Sequence, residues 1–447
     1  MKWGVFSLII VSPDNVTWAR ASVVDEAGKV FFHRGRVYRA IFSKEHAQLL
    51  SELLGSPWID ELFEIGLVKT VKSDEVLLEG SYLTLEHEKI PYELHPAECT
   101  SYMHWLSAKT LVDLCRALSE RGYFIKDAHP WNIMYQKGYP KFIDFGSITR
   151  STETTNAWLE EFRKYFGIPI WLAAWRFNGL ASEYRKEHSS GFGLKLFESK
   201  LTKYLITRGL TPPRKFFLTP KYFFGHISKW LEKKKPKSLS MGNWADYQQC
   251  GDSLSPKMPE LPKPKFVHEI LSKEKPARVL DIAANKGYYS KMAAVLGASV
   301  LACDYEEYCV NECLHLAQAN GLDITPALLD FKAPTPNYGM GLRGPDAFER
   351  LKSDIVLALG LVHHVCIRQQ IPVEIFCDIC MSYAEKGIVL EYVAPTDVHV
   401  KSWKATIPRN YSIDSISRII GGKFPSVIRS APMTDNDINR TMLYFSK

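Results

Sequence analysis

The sequence predicts an α/β chain in two parts: a doubly wound, mostly parallel sheet in the C-terminal part, preceded by an α+β part. Three observations predict it. From residue 278 onward, short apolar runs alternate with amphipathic stretches in a strand–helix–strand rhythm. Before residue 233, strand-like runs come early and helical ones late. Between the two parts, "KKKPKSLSMGNW" and "SPKMPELPKPKF" mix lysine, proline and serine in a way that disfavours regular structure. The expected boundaries are therefore 1–232, a connecting and lid segment 233–276, and 277–447. A chain of 447 residues is too long for one ordinary core, which agrees with more than one domain.

In the first part, "GKVFFHRGRVYRAIF" (28–42) reads as two β-runs around a turn, a hairpin. Residues 44–56 follow as a helix with Gly55 near its end. Residues 106–122 form a second helix, with Leu111, Leu114, Cys115 and Leu118 on one face and Gly122 as its stop. The aromatic-rich stretches 156–175 and 220–234 read as helices whose rings belong to the core. In the second part the strands fall at 278–282, 299–303, 324–329, 354–359 and 387–392, and "SVIRSA" and "RTMLYFS" close the sheet as a hairpin-like edge.

Composition bounds the function. With 46% hydrophobic and 23% charged residues the chain is of the globular class. The net charge of +7 has no long basic tail or stripe, and "EKKKPK" (232–237) reads as a solvated hinge, so nucleic acid is not the expected partner. Nine scattered cysteines fit a reducing, cytoplasmic setting, and "CDIC" (377–380) lacks the second pair a zinc site needs. The N-terminal "MKWGVFSLIIV" reads as a buried strand, and no stretch reaches the roughly 20 apolar residues needed to span a bilayer.

Two stretches carry chemistry. In "FIKDAHPWNIMYQKGYPKFIDFGS" (124–147), Asp127 and Asn132 stand in a D-x-x-x-x-N spacing, followed by a hairpin turning at Lys137 and Gly138 and by Asp144-Phe145-Gly146. Phosphoryl transfer needs a carboxylate near the attacking hydroxyl and ligands for magnesium. Asp127 is the candidate base; Asn132 and Asp144 are the candidate metal ligands. "DAHPWN" and "IDFG" resemble the catalytic loop and metal-binding motif of aminoglycoside phosphotransferases and related small-molecule kinases. That resemblance implies a protein-kinase-like α+β domain using ATP and magnesium. Where such proteins carry a lysine, the strand "VYRAI" carries Arg39, for which Glu52 is the expected ion-pair partner and Glu45 the less favoured one. No glycine-rich loop precedes this strand.

The second stretch is "RVLDIAANKGYYSKMAAVLGASVLACD" (278–304). Doubly wound domains bind nucleosides at a tight turn after the first strand, with an acidic residue ending the second strand on the ribose. Asp281, the turn positions Ala283, Asn285 and Gly287, then Asp304 and Asp330 at successive strand ends fit that pattern. The stretch resembles motif I of class I S-adenosylmethionine (SAM)-dependent methyltransferases, with Ala283 and Asn285 where glycines are usual. The resemblance implies a Rossmann-like methyltransferase domain with SAM as cofactor. "ALGLVHHV" places His363 and His364 just past the fourth strand, where a neutral imidazole could take a proton from a hydroxyl acceptor or pack against it. Glu391 and Asp397 in "LEYVAPTD" are candidate substrate contacts, and Trp244, Asp246 and Tyr247 a candidate lid. The Gly- and Pro-rich connection 332–354 is a candidate acceptor-side loop.

Taken in order, "VYRAI", "KDAHPWN", "PKFIDFGS", "NWADY", "VLDIAANKGYYS", "LALGLVHHV" and "EYVAPTD" resemble a family of bacterial class I methyltransferases with a kinase-like N-terminal segment. Members are linked to nodulation and to cell-surface glycan modification. The resemblance implies a methyltransferase and no particular substrate; the expected activity is methylation of oxygen on a glycan or small-molecule acceptor. The alternatives are a bifunctional kinase–methyltransferase that phosphorylates an acceptor and then methylates it, and a non-catalytic adaptor.

Overall fold

The computed structural model describes residues 9–20, 28–150, 155–186, 209–210, 220–237, 259–435 and 438–447. The candidate lid residues Trp244, Asp246 and Tyr247 lie outside them. The N-terminal part begins with β1 (Ile9–Val11), β2 (Thr17–Trp18), β3 (Gly28–His33) and β4 (Arg36–Ile41), followed by α1 (Lys44–Leu54) and α2 (Ile59–Ile65). Then come β5 (Thr70–Lys72), β6 (Val76–Leu78) and β7 (Leu83–His87). The antiparallel sheet runs β2-β3-β4-β7-β5. The expected hairpin is β3–β4, pairing His33 with Arg36 across Arg34 and Gly35, both at positive φ (49° and 76°).

Below the sheet lie α3 (Ser101–Ser119), the short β8 (Phe124–Ile125), the hairpin β9 (Ile133–Gln136) and β10 (Tyr139–Phe142), and β11 (Ile148–Thr149). The helices α4 (Thr155–Phe162), α5 (Ile168–Ala174), α6 (Asn178–Lys186) and α7 (Pro220–Lys233) complete this part. Trp158, Phe162, Phe166, Phe223, Phe224 and Trp230 are buried together, so these rings are core. Helix α3 starts at Ser101, five residues ahead of the sequence expectation. The cause is tertiary. Thr100 caps the helix by accepting from the Met103 N–H, while Glu307 of the C-terminal part accepts from Ser101 N at 3.1 Å.

The C-terminal part opens with α8 (Pro262–Glu274), which corrects the reading of 262–276 as linker. Pro262 sits in the first helical turn, where a missing N–H breaks no hydrogen bond. Val267, Ile270 and Leu271 then pack with Val279 and Val300 of the sheet. The strands and helices follow in alternation: β12 (Arg278–Ile282), α9 (Tyr288–Val295), β13 (Ser299–Asp304), α10 (Glu307–Asn320), β14 (Ile324–Leu328), α11 (Ala347–Arg350) and β15 (Ser353–Ala358). Next are α12 (Val373–Tyr383), β16 (Ala384–Val393), α13 (Val398–Ser402), α14 (Ile413–Gly421), β17 (Ser426–Arg429), β18 (Met433–Asp435) and β19 (Ile438–Ser446). The sheet order is β14-β13-β12-β15-β16-β19-β17, parallel through β16, with β19 antiparallel between β16 and β17. Cys377 and Cys380 are both buried in α12 as core.

The two parts are not separately packed. The crossover from β14 to β15 contains only a 3₁₀ turn (Met340–Leu342) and the four-residue α11, too short to cover the whole of that sheet face. Tyr92, Leu94, Cys99 and Met103 of the N-terminal part cover it instead, in one cluster with Leu280, Ile282, Leu301, Cys303 and Val356. Tyr92 Oη donates to Val279 O at 3.0 Å. The Arg350 guanidinium donates twice to Glu98, at 2.9 and 2.6 Å, with both side chains almost wholly buried. Arg185, also buried, pairs with Glu307 at 3.2 Å.

Removing one partner of a buried ion pair strands the other charge. Glu98→Ala is expected to cost about 3–5 kcal/mol, read by urea denaturation as an earlier, still single transition for both parts. A loss below about 1 kcal/mol, or two separate transitions, would contradict the shared core.

Candidate functional site

The order of the parallel sheet reverses between β12 and β15, and open α/β sheets take ligands at the carboxyl ends of the strands at such a point. The turn leaving β12 is built for close approach. Ala283, Asn285 and Gly287 all have left-handed backbone, with φ of 57°, 53° and 82°. At Gly287 a Cβ would stand 3.0 Å from Cys313 Sγ, so the turn is pressed onto α10. Ala283 and Asn285 do occupy the conformation that glycine usually supplies. Asn285 is held there because its N–H donates to Asp304 Oδ2 at 3.0 Å, while Asp304 Oδ1 accepts from Glu306 N at 3.0 Å. Burial pushes the Asp304 carboxyl up, and these backbone donors oppose that rise. Asp281 is buried, accepts from Ser290 Oγ at 2.7 Å, and is pushed up to about 7 by burial. Asp330, about half exposed, follows β14 and accepts from Lys332 N.

His363 and His364 follow β15, and their rings lie 4.2 Å apart. His363 is buried and stacked on Trp403, with centroids 5.6 Å apart and planes 6° apart; its Nδ1 has no hydrogen-bond partner among the described residues. Burial, then the neighbouring His364, pushes His363 down to about 3; burial, then Arg368, pushes His364 down to about 4. Both rings are therefore neutral near pH 7.

Glu391 and Asp397 are corrected from substrate contacts to supports. Glu391 is fully buried between Lys263 at 2.5 Å and Arg440 at 3.0 Å. Burial raises its carboxyl, but these two cations outweigh that and leave it below its ordinary value. Asp397 is fully buried and accepts from His399 N at the start of α13. Lys263, Arg440 and Trp403 were missed by sequence reasoning. Lys263 lay in a stretch read as linker, and Arg440 reaches Glu391 only because β19 returns beside β16.

In the N-terminal part, Arg39, Asp127, Asn132 and Asp144 converge on one cavity of about 560 Å³. Asn132 O accepts from Ile143 N at 2.8 Å, which sets Asn132 beside Asp144. Burial, and secondarily the nearby Asp144, pushes the Asp127 carboxyl up, although His129 opposes this. Arg39 is buried and pairs with Asp144 at 2.8 Å. It lies so close to Gly146 that a Cβ there would stand 2.5 Å from Arg39 Nη1. Glu52 is not its partner: Glu52 pairs with Arg150 at 2.6 Å, because α1 presents it outward. Residues 19–27, joining β2 to β3, contain no glycine; Ala19 and Arg20 line the cavity.

The connection 332–354 also departs from expectation. Its tip lies in this N-terminal cavity, contributing Tyr338, Gly339, Arg343 and Gly344. Tyr338 Oη donates to Glu93 at 2.9 Å, and the Tyr338 ring fills the space a side chain at Gly344 would need. The connection folds over the first part because Glu93, Glu98 and Arg20 draw Tyr338, Arg350 and Glu349 to it.

A parallel sheet closed by an antiparallel strand inserted before its edge, with the turn and carboxylates above, decides the fold. The C-terminal part has the Rossmann-like methyltransferase fold. No protein-family model matches the chain. It is 23% identical over 408 residues to the nodulation protein NoeA of Rhizobium meliloti (strain 1021), covering 84% of this chain and 85% of that one. Among solved structures, magnesium protoporphyrin IX methyltransferase (ChlM) from Synechocystis PCC 6803 with bound SAH is 20% identical, with a TM-score of 0.31, over 41% of this chain and 80% of its own. WbdD is 15% identical, with a TM-score of 0.32, over 47% of this chain and 43% of its own. The N-terminal domain of EvdMO1, in the presence of SAH and D-fucose, is 14% identical, with a TM-score of 0.30, over 42% of this chain and 84% of its own. Among the described residues no helix is long and apolar enough to cross a membrane.

The lowered histidines make a testable statement. Their unfolded counterparts protonate near pH 6.5, so the stability their burial requires is full above that value and is lost as pH falls towards the folded values. In a ¹⁵N NMR titration from about pH 8 to about pH 6, the His363 and His364 ring nitrogens are expected to stay neutral. A midpoint above about pH 6 for either would contradict the packing against Trp403.

Proposed function

We propose that this chain is a SAM-dependent methyltransferase acting on a hydroxyl of a glycan or small molecule, in a cytoplasmic setting. The observation that carries the reading is the left-handed turn 283–287, with Asn285 N–H fixed by the Asp304 carboxylate. Asp304 and Asp330 fit the ribose and the adenine amino group, and the bare backbone at Gly287 permits close approach. SAM supplies an electrophilic methyl group when bound. The chain's own residues then hold the acceptor. His363 is neutral, and its Nδ1 is a lone buried polar atom able to meet a hydroxyl. Trp403 fixes the ring plane, and Lys263, Glu391 and Arg440 brace the strand ends beneath. The buried, unbridged state of Cys99, Cys303 and Cys309 fits a reducing compartment.

A second reading has its own observation. Asp127, Asn132 and Asp144 face one cavity, as phosphoryl transfer requires, so the N-terminal part takes ATP with magnesium and phosphorylates an acceptor before methylation. Asn132 and Asp144 would hold the metal, and the raised Asp127 would take the hydroxyl proton.

Calorimetric titration with SAM tests the first reading. Wild type is expected to bind, Asp304→Ala to bind roughly tenfold or more weakly, and Asp144→Ala to bind like wild type. No binding by wild type would end the methyltransferase reading; undiminished binding by Asp304→Ala would remove Asp304 from the site.

A further inference from the structure

We propose that His87 reads the base of a nucleotide in the N-terminal cavity, selecting one whose base presents an exocyclic amino group. This rests on the second reading above, that the cavity takes a nucleoside polyphosphate.

His87 ends β7, lines the cavity and is 7% exposed. Its hydrogen bonds fix its tautomer. Thr70 Oγ1 has one proton, which it donates to Val68 O at 3.0 Å. The 2.8 Å contact between Thr70 Oγ1 and His87 Nδ1 therefore has the imidazole N–H as donor. Nε2 is left as the bare acceptor, buried and without a hydrogen-bond partner among the described residues. Burial, helped by the nearby Arg39 charge, pushes the ring down to about 3, so the ring is neutral near pH 7 and its one proton is the one that Nδ1 gives to Thr70.

A buried acceptor without a donor costs free energy that a ligand donor would recover. The cavity around it suits a flat base. Val30 and Val37 come from the sheet above, Met134 from the hairpin below and Ile143 from just past it, and the chain at Glu88, Lys89 and Ile90 forms one wall. The carboxylates Asp127 and Asp144 line the same cavity, as does Arg343 from the other part, an exposed guanidinium suited to phosphate oxygens. A base donor of the amino type, such as the 6-amino group of adenine, completes His87. A bare ring edge or a carbonyl leaves it unpaired.

The test compares Mg–ATP with the magnesium complex of purine riboside 5′-triphosphate, which lacks the 6-amino group but keeps the rest of the purine edge. Equilibrium binding is measured on the full chain, with SAM binding followed in the same samples. Wild type is expected to prefer ATP by about tenfold or more, as for one buried hydrogen bond. His87→Leu should reduce that preference to about threefold or less, and His87→Gln, which keeps an acceptor, should retain most of it. Equal affinity of wild type for the two nucleotides would overturn the proposal, as would a preference that survives in His87→Leu. Failure of wild type to bind either nucleotide while it binds SAM would overturn it too, leaving the methyltransferase reading standing.

Discussion

The structure depends on one sheet face that its own domain, through α12 and α14, covers only in part. A doubly wound sheet must bury both faces, and crossover helices ordinarily do this. Here the connection between β14 and β15 spends its length on proline and glycine and keeps only a 3₁₀ turn and a four-residue α-helix. The gap is filled by residues 92–103, whose apolar side chains join the sheet's own core. Burying that segment brings Glu98 against Arg350 and Ser101 against Glu307, so polar groups that would be stranded find partners across the junction. The two parts therefore hold a fixed relation rather than hanging on a linker.

That fixed relation explains why the connection is so long. Leaving β14 after Leu328, it must return to the amino end of β15, and on the way it runs beside the N-terminal cavity. Tyr338 locks onto Glu93, and paired backbone hydrogen bonds between Tyr338 and Gly344 close the tip into a compact loop. Arg343 is thus held at the cavity without belonging to the part that supplies Asp127 and Asp144. Arg39, the strand cation in the same cavity, is meanwhile neutralised by Asp144.

Most of the fold was legible because it is written in local pattern. The strand at 278–282 and the hairpin around Arg34 and Gly35 follow from period-two apolar runs and turn chemistry. The clustering of Asp127, Asn132 and Asp144 follows from their positions on either side of one short hairpin. What escaped was set by packing and context that the local runs do not carry. The early start of α3 depends on Glu307, more than 200 residues away. Glu52 faced Arg150 rather than Arg39 because α1's rotation about its axis is set by packing, which spacing along a strand does not reveal. Pro262 and Pro264 looked like linker because proline signals a break, yet in a first turn it signals a start.

The same distinction separates the two sites chemically. In the C-terminal site the decisive groups are backbone: left-handed residues present N–H groups and leave room, so side-chain identity is relaxed enough for Ala283 and Asn285 to stand where glycine is usual. In the N-terminal cavity the decisive groups are side chains whose protonation states are set by burial. Asp127 is raised and His87 is lowered by the same loss of water, because desolvation penalises whichever form carries charge. One cavity thus holds a carboxyl eased towards accepting a proton and an imidazole denied one. The first is the property a base at the acceptor end needs, and the second is the property a neutral reader of a base edge needs. A single physical cause, the loss of water on burial, thus serves both ends of the cavity.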